Sequence, residues 1–289
     1  MPELPEVETI RRQLEPELVG RRIESVQIKD ERLTRPEPAQ VVERACAGRR
    51  IESVERRGKY LMLKLERGKW LLLHLRMSGN ILLHPLGPKV RYLRAVIRLE
   101  GGDTVLFTDQ RRFGTAVAID DDDLDEYLSL RAGVEPLSEA LTAERIGEIA
   151  AGRRAPLKSF LLMQSGIAGI GNIYADEALH RAELHPLSPA GSMKPEHWER
   201  LREGIVAALN EGLSNGGASI DDYRDTSGGE GSMQDEFLVH TREGLPCPRC
   251  GTEIRRIVVG GRSTYYCPGC QRRLRRRARR RRAAARSRR

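Results

Sequence analysis

Four of the five cysteines lie in two closely spaced pairs near the end of the sequence. Cys247 and Cys250 form the first Cys-x2-Cys pair, Cys267 and Cys270 form the second, and 16 residues lie between the two pairs. Each pair places two thiolates on one tight turn, and two such turns complete the tetrahedral coordination of a structural Zn²⁺ site. Two disulfides or a redox pair are the alternatives, which a chain expected to be intracellular disfavours. The spacing therefore predicts one structural Zn²⁺ ion.

The segment between the two cysteine pairs has the pattern of a β-hairpin. Strand signals at 254–259 and 263–266 flank Gly260 and Gly261, and paired glycines favour a tight turn. Arg262 falls at the tip of this hairpin, where it can project into a groove. A solvated turn residue is the ordinary alternative for an arginine in this position.

The second residue is a proline, and acids follow it at Glu3, Glu6 and Glu8. Removal of Met1 would expose the secondary amine of Pro2. An α-amino group titrates near about 8, against about 10.4 for lysine, so a useful fraction is neutral and nucleophilic at neutral pH. An amine that attacks C1′ of a deoxyribose gives an iminium, which favours elimination of the 3′ phosphate, and Glu3 can supply the proton. The alternative is a proline at the start of a helix whose dipole favours acids.

The positive charge of the chain lies almost entirely in its tail. The net charge is +9, and residues 272–289 contain twelve arginines and no acid. Subtracting these 12 charges from +9 leaves −3 for residues 1–271. The tail binds any polyanion through counterion release, so the overall charge does not by itself identify a DNA-binding protein.

No part of the sequence predicts a membrane span or a secretory signal. There is no run of 18 apolar residues, and the acids near the N-terminus differ from a basic and apolar leader. We therefore expect a cytoplasmic protein, associated with the nucleoid if it acts on DNA.

Periodic apolar residues predict a β-rich first part and a helical second part. A helix over 5–19 ends at Gly20, and 214–235 is a long Gly/Ser/Asp-rich loop. The heptapeptide Gly-Arg-Arg-Ile-Glu-Ser-Val occurs at 20–26 and again at 48–54, each time after a helical pattern and at the start of a strand, which suggests a local duplication. Strands are predicted at 22–28, 51–55, 60–66, 70–75, 94–99, 104–107 and 115–119, and helices at 146–150, 157–164, 173–182 and 195–213. Cys46 lies apart from the cysteine pairs in an apolar-leaning stretch and is predicted to be a buried, unreactive thiol.

Several further stretches match one family in the same order. From Pro2 to Gln271 the chain resembles the bacterial formamidopyrimidine-DNA glycosylases. The matching stretches are Pro-Glu-Leu-Pro-Glu-Val-Glu-Thr from Pro2, Arg-Arg-Gly-Lys-Tyr-Leu from Arg56, His-Leu-Arg-Met-Ser-Gly from His74, Asp-Gln-Arg-Arg-Phe-Gly from Asp109, Gly-Ile-Gly-Asn-Ile-Tyr-Ala-Asp-Glu from Gly169, and the four-cysteine finger with its Arg262.

The resemblance implies a catalytic role for four residues. Pro2 is similar to the Schiff-base nucleophile, and Glu3 to the acid that assists opening of the sugar ring and departure of the base. Lys59, which alone would be read as a surface lysine, matches the phosphate-holding proton donor of β-elimination. Arg262 matches the finger arginine that contacts lesion phosphates and assists δ-elimination, which leaves a one-nucleotide gap.

The resemblance also implies a set of DNA contacts. Chemistry on a base inside a duplex requires that the nucleotide be flipped out and the hole filled. Met77, Arg111 and Phe113 match the residues that fill it, with two apolar wedges and one guanidinium for the orphaned base, although Met77 and Phe113 alone would be read as core residues. Phosphate or other DNA contacts are implied for Tyr92, Arg154, Lys158 and Asn172, and the loop at 214–235 corresponds to a mobile loop that closes over the extruded base.

The sequence departs from the family pattern at a few positions. Gln110 stands where a proline is common, Arg76 where a glycine is common, and Tyr92 where a DNA-contacting histidine is expected. In the long loop, Gly-Ser-Met-Gln at 231–234 replaces Gly-Tyr-Phe-Gln. The loss of these rings affects the preferred damaged base rather than the chemistry.

The expected protein is an α+β, two-domain, monomeric enzyme. We expect an N-terminal β-sandwich with a flanking helix (2–120), a helix–two-turn–helix domain with the lesion loop (135–235), a four-cysteine zinc-finger hairpin (238–272) and a disordered arginine-rich tail (273–289). The expected activity is that of a bifunctional glycosylase and lyase that acts on double-stranded DNA containing oxidised purines.

Two alternatives remain at this point. One is an endonuclease VIII-type enzyme of the same fold for oxidised pyrimidines, and the other is a non-catalytic zinc DNA-binding protein. Leu4-Pro5 and the set of Met77, Arg111 and Phe113 favour the purine enzyme over the first. The presence of Pro2, Glu3 and Lys59 together disfavours the second.

Overall fold

The computed structural model describes residues 1–83, 90–220 and 222–273. Beyond Arg273, the tail predicted to be disordered lies outside the described residues. None of the helices in the described part of the chain combines the length and apolarity that a membrane span requires.

The N-terminal half is a sandwich of two four-stranded antiparallel sheets. One sheet has the order β1-β6-β7-β5 and the other β2-β3-β4-β8. Apolar side chains from both sheets fill the space between them, which confirms the predicted sandwich. The strands are β1 (Ile23–Ile28), β2 (Ile51–Arg57), β3 (Tyr60–Leu65), β4 (Lys69–His74), β5 (Gly79–Leu83), β6 (Leu93–Leu99), β7 (Thr104–Asp109) and β8 (Thr115–Asp120).

Two elements of this half were not predicted. Strand β5 begins with a glycine and an asparagine, and only two of its five residues are buried, so its apolar signal is weak. Helix α3 (Asp121–Ser129) begins inside the acidic run Asp120 to Asp123, which has no apolar periodicity. Three aspartates in its first turn face the positive end of the helix dipole, which stabilises them there.

The repeated heptapeptide occupies equivalent positions in the two sheets. Helix α1 (Leu4–Leu18) leads into β1, helix α2 (Ala39–Cys46) leads into β2, and each strand lies at the edge of its own sheet. The two copies exchange reciprocal backbone hydrogen bonds, from Gly20 N to Ile51 O (2.8 Å) and from Gly48 N to Ile23 O (2.7 Å). This pseudo-twofold arrangement agrees with the predicted local duplication.

The second half is helical and carries the cysteine hairpin. Its helices are α4 (Ala143–Ala150), α5 (Leu157–Leu161), α6 (Asn172–Arg181) and α7 (Pro195–Ser214), and its hairpin consists of β9 (Arg255–Val259) and β10 (Arg262–Tyr266). Helix α5 ends three residues earlier than predicted. Cys46 is fully buried, and burial raises the pKa of its thiol to about 12, as expected for an inert side chain.

Helix α1 joins the two halves. Leu4 packs in the core of the helical half, whereas Val7, Ile10, Leu14 and Leu18 pack in the core of the sandwich. The first turn of α1, with Pro2 and Glu3 immediately before it, therefore lies at the junction of the two cores.

Candidate active site

The carboxylate of Glu3 is bound by the N-terminus of α6. The amide of Gly171 donates to Oε2 (2.6 Å) and the amide of Ile173 donates to Oε1 (3.0 Å). The amide of Leu4 donates to the carbonyl of Gly169 at 3.0 Å. Helix N-termini favour anions because their first amides lack partners within the helix. This set of hydrogen bonds fixes the first residues of the chain against the loop before α6.

The loop before α6 requires glycine at two positions. A Cβ at Gly171 would lie 2.2 Å from the carboxyl carbon of Glu3. Gly169 has φ +81, and a Cβ there would lie 2.7 Å from the side chain of Leu4. The close approach of Glu3 and Leu4 to this backbone therefore depends on the Gly-Ile-Gly sequence.

Glu6 lies behind Glu3 and was not assigned a role from the sequence. It accepts hydrogen bonds from the amide of Glu3 (2.7 Å), the hydroxyl of Tyr174 (2.7 Å) and the amide of Ala218 (2.8 Å). Burial, and then the charge of Glu3, raises the pKa of Glu6. Glu3 and Glu6 form a capping box at the start of α1, and their three-residue spacing in the sequence could have indicated that the two side chains act together.

Lys59 lies in the two-residue turn between β2 and β3. A Cβ on the preceding Gly58 would lie 3.0 Å from Cβ of Ala168, so this turn packs directly against the loop before α6. The carboxylate of Glu135 accepts a hydrogen bond from the amide of Gly58 and forms an ion pair with Arg56 (3.0 Å). The turn is thereby tied to the helical half.

The side chain of Lys59 is buried among charges of both signs. Burial lowers its pKa from the usual lysine value, the nearby carboxylates of Glu3 and Glu6 oppose this shift, and the positive charges of Arg262 and Arg76 add to it. A cavity of about 210 Å³ adjoins Lys59 and is also lined by His74, Arg76 and Arg131. Lys59 thus lies within electrostatic reach of the residues that the sequence predicted as its catalytic neighbours.

Arg262 is exposed at the first residue of β10. The side-chain amide of Asn172 donates to the carbonyl of the next residue, Ser263, at 3.0 Å, and a Cβ on Gly260 would lie 3.0 Å from the hydroxyl of Ser159. The hairpin is therefore seated on α5 and on the first residue of α6. The structure brings Glu3, Lys59 and Arg262 together around the start of α6, with Pro2 buried beside Glu3.

Lys158 lies inside the helical half, behind the start of α6. Its side chain is fully buried, and its ammonium donates to the carbonyl of Asn172 (3.1 Å) and to the carboxylate of Asp176 (2.5 Å). The second oxygen of Asp176 lies 2.9 Å from Nδ1 of His240. The side chain of Lys158 therefore supports the start of α6 from inside, and the DNA contact expected for it stays a prediction.

Met77, Arg111 and Phe113 lie on two neighbouring loops. Phe113 is 52% exposed, the guanidinium of Arg111 lies 5.2 Å from its ring centroid, and Met77 is half-buried. The adjacent Arg112 is held by the buried carboxylate of Asp30 through two hydrogen bonds, of 2.5 and 2.9 Å. Of the two consecutive arginines, therefore, Arg112 is an anchor and Arg111 is available to a ligand.

Tyr92 and Arg154 are both exposed. The hydroxyl of Tyr92 accepts a hydrogen bond from Arg91 (3.2 Å), and its carbonyl accepts one from the amide of Asp109 (2.9 Å). Arg154 lies in the loop before α5 and has no polar partner within the part of the chain that the structure describes. Both side chains are accessible to a ligand.

The long loop at 214–235 is tied to the sandwich in its middle. Tyr223 is 2% exposed and packs into the sandwich core, and the carbonyl of Thr226 accepts a hydrogen bond from the amide of Leu83 (2.8 Å). The amide of Thr226 also donates to the side chain of Gln13 in α1 (3.0 Å). The sequence predicted an irregular segment here, but not these attachments.

The four paired cysteines form one cluster. Their sulfur atoms all lie within 4.8 Å of one another, and Cys250 approaches both Cys267 and Cys270 at 3.4 Å. Sulfurs bound to one tetrahedral ion at about 2.3 Å would be about 3.8 Å apart, so the arrangement fits a single bound metal ion. His180, whose pKa burial lowers to about 4, lies 3.3 Å from the sulfur of Cys247 and attaches α6 to this cluster.

Three family models match successive parts of this chain. The formamidopyrimidine-DNA glycosylase N-terminal domain matches residues 1–116, the formamidopyrimidine-DNA glycosylase H2TH domain matches 132–224, and the zinc finger found in FPG and IleRS matches 244–273. The chain belongs to the formamidopyrimidine-DNA glycosylase family. The family to which the sequence motifs pointed is thereby confirmed.

Individual relatives are similar over nearly the full length of the chain. The formamidopyrimidine-DNA glycosylase of Roseiflexus sp. (strain RS-1) is 45% identical and that of Chloroflexus aurantiacus is 44% identical, each over 94% of this chain and over 100% and 98% of the relative. The MutM (FPG) protein of Thermus thermophilus superimposes with a TM-score of 0.84 at 42% identity, covering 93% of this chain and 98% of its own. A Lactococcus lactis FPG mutant in complex with a Fapy-dG containing DNA gives 0.87 at 34% identity, covering 94% and 100%.

We predict that Gly171→Ala abolishes most base excision without unfolding the protein. The added Cβ would occupy the position of the Glu3 carboxylate, and displacing a reacting group by about 1 Å costs on the order of 100-fold in rate. Single-turnover excision of 8-oxoguanine and the thermal midpoint provide the measurements. Gly147→Ala is the matched control, since its Cβ would meet Trp198 at 3.1 Å in the helical core, away from Glu3. Equal rates for the two variants would contradict the prediction.

Proposed function

We propose that this DNA glycosylase removes 8-oxoguanine and formamidopyrimidines from double-stranded DNA and then cleaves the abasic strand with its own lyase activity. Its membership of the family and its similarity to an FPG bound to Fapy-dG containing DNA support this substrate class. The arrangement of Glu3, Lys59 and Arg262 around the start of α6, with Pro2 beside it, is the observation that carries the proposal.

Pro2 is the proposed nucleophile of the first step. After Met1 is removed, the neutral amine of Pro2 attacks C1′, the bond from C1′ to the purine nitrogen breaks, and the purine leaves with a proton. Glu3 is the proposed acid that assists opening of the sugar ring and departure of the base. While Met1 remains attached, the nitrogen of Pro2 is an amide, and this chemistry is closed to it.

Lys59 and Arg262 serve the two eliminations that follow. The iminium of Pro2 accepts the electron pair released when a proton leaves C2′, and the bond from C3′ to its phosphate oxygen then breaks. Lys59 holds this phosphate and supplies a proton. Loss of the 5′ phosphate, assisted by Arg262, completes the gap and leaves the sugar fragment on Pro2 until water releases it.

The remaining candidate residues bind and deform the duplex. Met77, Arg111 and Phe113 are proposed to fill the space left by the extruded nucleotide, which replaces lost stacking and satisfies the orphaned base. Tyr92 and Arg154 are accessible for contacts with DNA. Asn172 is proposed to contact a phosphate at the start of α6, and the buried Lys158 to act through it.

The metal ion in the cysteine cluster is proposed to be Zn²⁺. Four thiolates in a closed tetrahedral set are typical of structural zinc, which supplies folding energy and leaves no position for a reacting water. Bound zinc would stabilise the hairpin that carries Arg262. The cluster therefore contributes to function by positioning rather than by reaction.

The proposed organisation of the molecule follows the same reasoning. We propose that the chain acts as a cytoplasmic, nucleoid-associated monomer, with a catalytic sandwich at 2–120, a helix–two-turn–helix domain at 135–235 and a zinc finger at 238–272. The arginine-rich segment 273–289 is proposed to raise non-specific affinity for DNA through counterion release.

Borohydride trapping tests the proposed chemistry. Incubation with a duplex containing 8-oxoguanine opposite cytosine, followed by reduction, should give a covalent adduct that Pro2→Gly abolishes or strongly reduces. Trapping only on an oxidised pyrimidine would select an endonuclease VIII-type activity. Binding without trapping on either substrate would select a non-catalytic DNA-binding protein, and full activity of Pro2→Gly would contradict the mechanism.

Removal of the metal should weaken DNA binding. Without its ion the hairpin loses the folding energy that fixes Arg262, so the dissociation constant for abasic duplex, measured by fluorescence anisotropy, should rise at least about ten-fold, a loss of about 1.4 kcal/mol. Metal content is measured in parallel, and added Zn²⁺ should restore affinity. Unchanged binding after verified metal loss would count against this role.

The lowered pKa of Lys59 predicts the pH dependence of strand cleavage. The protonated ammonium is the proposed active form, so activity should be lost as pH rises through a pKa below the ordinary lysine value of about 10.4. Lys59→Arg keeps its charge over this range and should move the alkaline limb upward. Single-turnover cleavage of a preformed abasic site gives the pH profile of strand cleavage even for a slow variant. If Lys59→Arg leaves the alkaline limb at the same pH, that limb reports the titration of another group.

A further inference from the structure

We propose that Asp109 is a positioning residue that holds the two void-filling loops in one arrangement, an inference that rests on the function proposed above. The two loops, 75–79 and 109–114, are here called the wedge loops. The first carries Met77, and the second carries Arg111 and Phe113. Asp109 itself has no reacting partner and acts through these three side chains.

The carboxylate of Asp109 connects the two wedge loops directly. Its Oδ1 accepts hydrogen bonds from the hydroxyl of Ser78 (2.5 Å) and from the amide of Arg111 (3.1 Å), and its Oδ2 accepts one from the amide of Gly114 (2.7 Å). The hydroxyl of Ser78 in turn accepts a hydrogen bond from the amide of Arg111 at 2.9 Å. These four hydrogen bonds connect Ser78, which follows Met77, to the amides of Arg111 and Gly114, which flank Phe113, through the carboxylate of Asp109.

The carboxylate of Asp109 is buried, so water does not compete for its hydrogen bonds to the wedge loops. Asp109 is 1% exposed and Ser78 is 3% exposed. Within the described residues no lysine or arginine forms an ion pair with the Asp109 carboxylate, and the neighbouring Arg94 donates to its backbone carbonyl instead. Buried polar groups are costly to leave unpaired, so the loops and the carboxylate constrain one another.

Close packing removes alternative arrangements of the wedge loops. A Cβ on Gly79 would lie 2.5 Å from the carbonyl oxygen of Leu75, and a Cβ on Gly114 would lie 2.6 Å from the ring of Phe107. On the other side, Arg112 has φ +61 and is bound to the carboxylate of Asp30. Arg112 therefore secures the backbone between Arg111 and Phe113, and these two side chains remain free for DNA.

A carboxylate is required for this set of hydrogen bonds. An asparagine has one acceptor oxygen and one NH₂ group, which donates only. In Asp109→Asn, either the amide of Gly114 or the amide of Arg111 would face the NH₂ donor, and in the second case the Ser78 hydroxyl would have to turn from donating to accepting. The second wedge loop would then lose its fixed relation to Met77, whereas the contacts of Glu3 with the start of α6 lie elsewhere and would persist.

The experiment compares two substrates that differ in the need for a filled void. Excision of 8-oxoguanine from a duplex requires extrusion of the nucleotide, whereas cleavage of a preformed abasic site in single-stranded DNA requires Pro2 chemistry and has no void to fill. For Asp109→Asn, we expect duplex excision to fall at least about ten-fold, because displaced reacting geometry is costly, and single-strand cleavage to stay within about two-fold. The rise of 2-aminopurine fluorescence beside the lesion should slow in parallel.

Two variants accompany Asp109→Asn. Asp103→Asn is the matched control, because Asp103 lies at the opposite end of the β6–β7 hairpin, where its carboxylate pairs with Arg21 at 2.9 Å, and it should leave both activities unchanged. Ser78→Ala removes only the bridging hydroxyl and should give a smaller loss with the same substrate dependence. If the thermal midpoint shows that Asp109→Asn folds poorly, Ser78→Ala still tests the positioning role.

The outcomes separate this inference from the proposed function. Equal losses on both substrates in folded Asp109→Asn and Ser78→Ala, or no loss on either, would overturn the positioning role. A selective loss of duplex excision and of the fluorescence rate would support it. Failure of the unmodified protein on both substrates would instead overturn the proposed function.

Discussion

The hydrogen bonds between the Glu3 carboxylate and the first amides of α6 are the constraint on which the arrangement of the site depends. They connect the first residues of the chain to a loop more than 160 residues away in sequence. This contact is possible only because Gly169 and Gly171 present bare backbone to Leu4 and Glu3. Since Leu4 packs with the helical core and the rest of α1 with the sandwich core, the same contact sets how the two halves meet. Lys59 and Arg262 then approach Glu3 from opposite halves of the molecule.

Burial gives these charged groups properties that they would lack at a surface. Lys59 is removed from water and its pKa falls, while Glu6 is removed from water beside a second carboxylate and its pKa rises. Groups whose pKa values move toward neutrality transfer protons more effectively at cellular pH. The carboxylates of Glu3 and Glu6 also limit the fall of the Lys59 pKa. The site therefore combines low solvation with compensating charges, and the proton transfers proposed for it depend on both features.

The sequence predicted the parts of the fold that depend on local patterns. The first helix and its stop at Gly20, most sandwich strands and the cysteine pairs follow from periodicity and spacing. Strand β5 and helix α3 were missed because few of their residues are buried, so tertiary pairing rather than pattern defines them. The motifs located the site but did not distinguish Arg111 from Arg112, or an exposed lysine from the buried Lys158. Those distinctions depend on partners distant in sequence, Asp30 and Asp176, which no local pattern reveals.

The long loop at 214–235 is attached both to Glu6 and to the sandwich. Its first residues hold Glu6 through the amide of Ala218, and its middle is fixed to the sandwich by Tyr223 and by the carbonyl of Thr226. Any movement of the loop, such as the predicted closure over an extruded base, is therefore confined to the segment between and beyond these attachments. A displacement that reached Ala218 would remove one hydrogen bond from Glu6, and Glu6 accepts the amide of Glu3. Because Ala218, Glu6 and Glu3 are all buried, the position of the loop and the position of Glu3, the proposed acid, are mechanically linked.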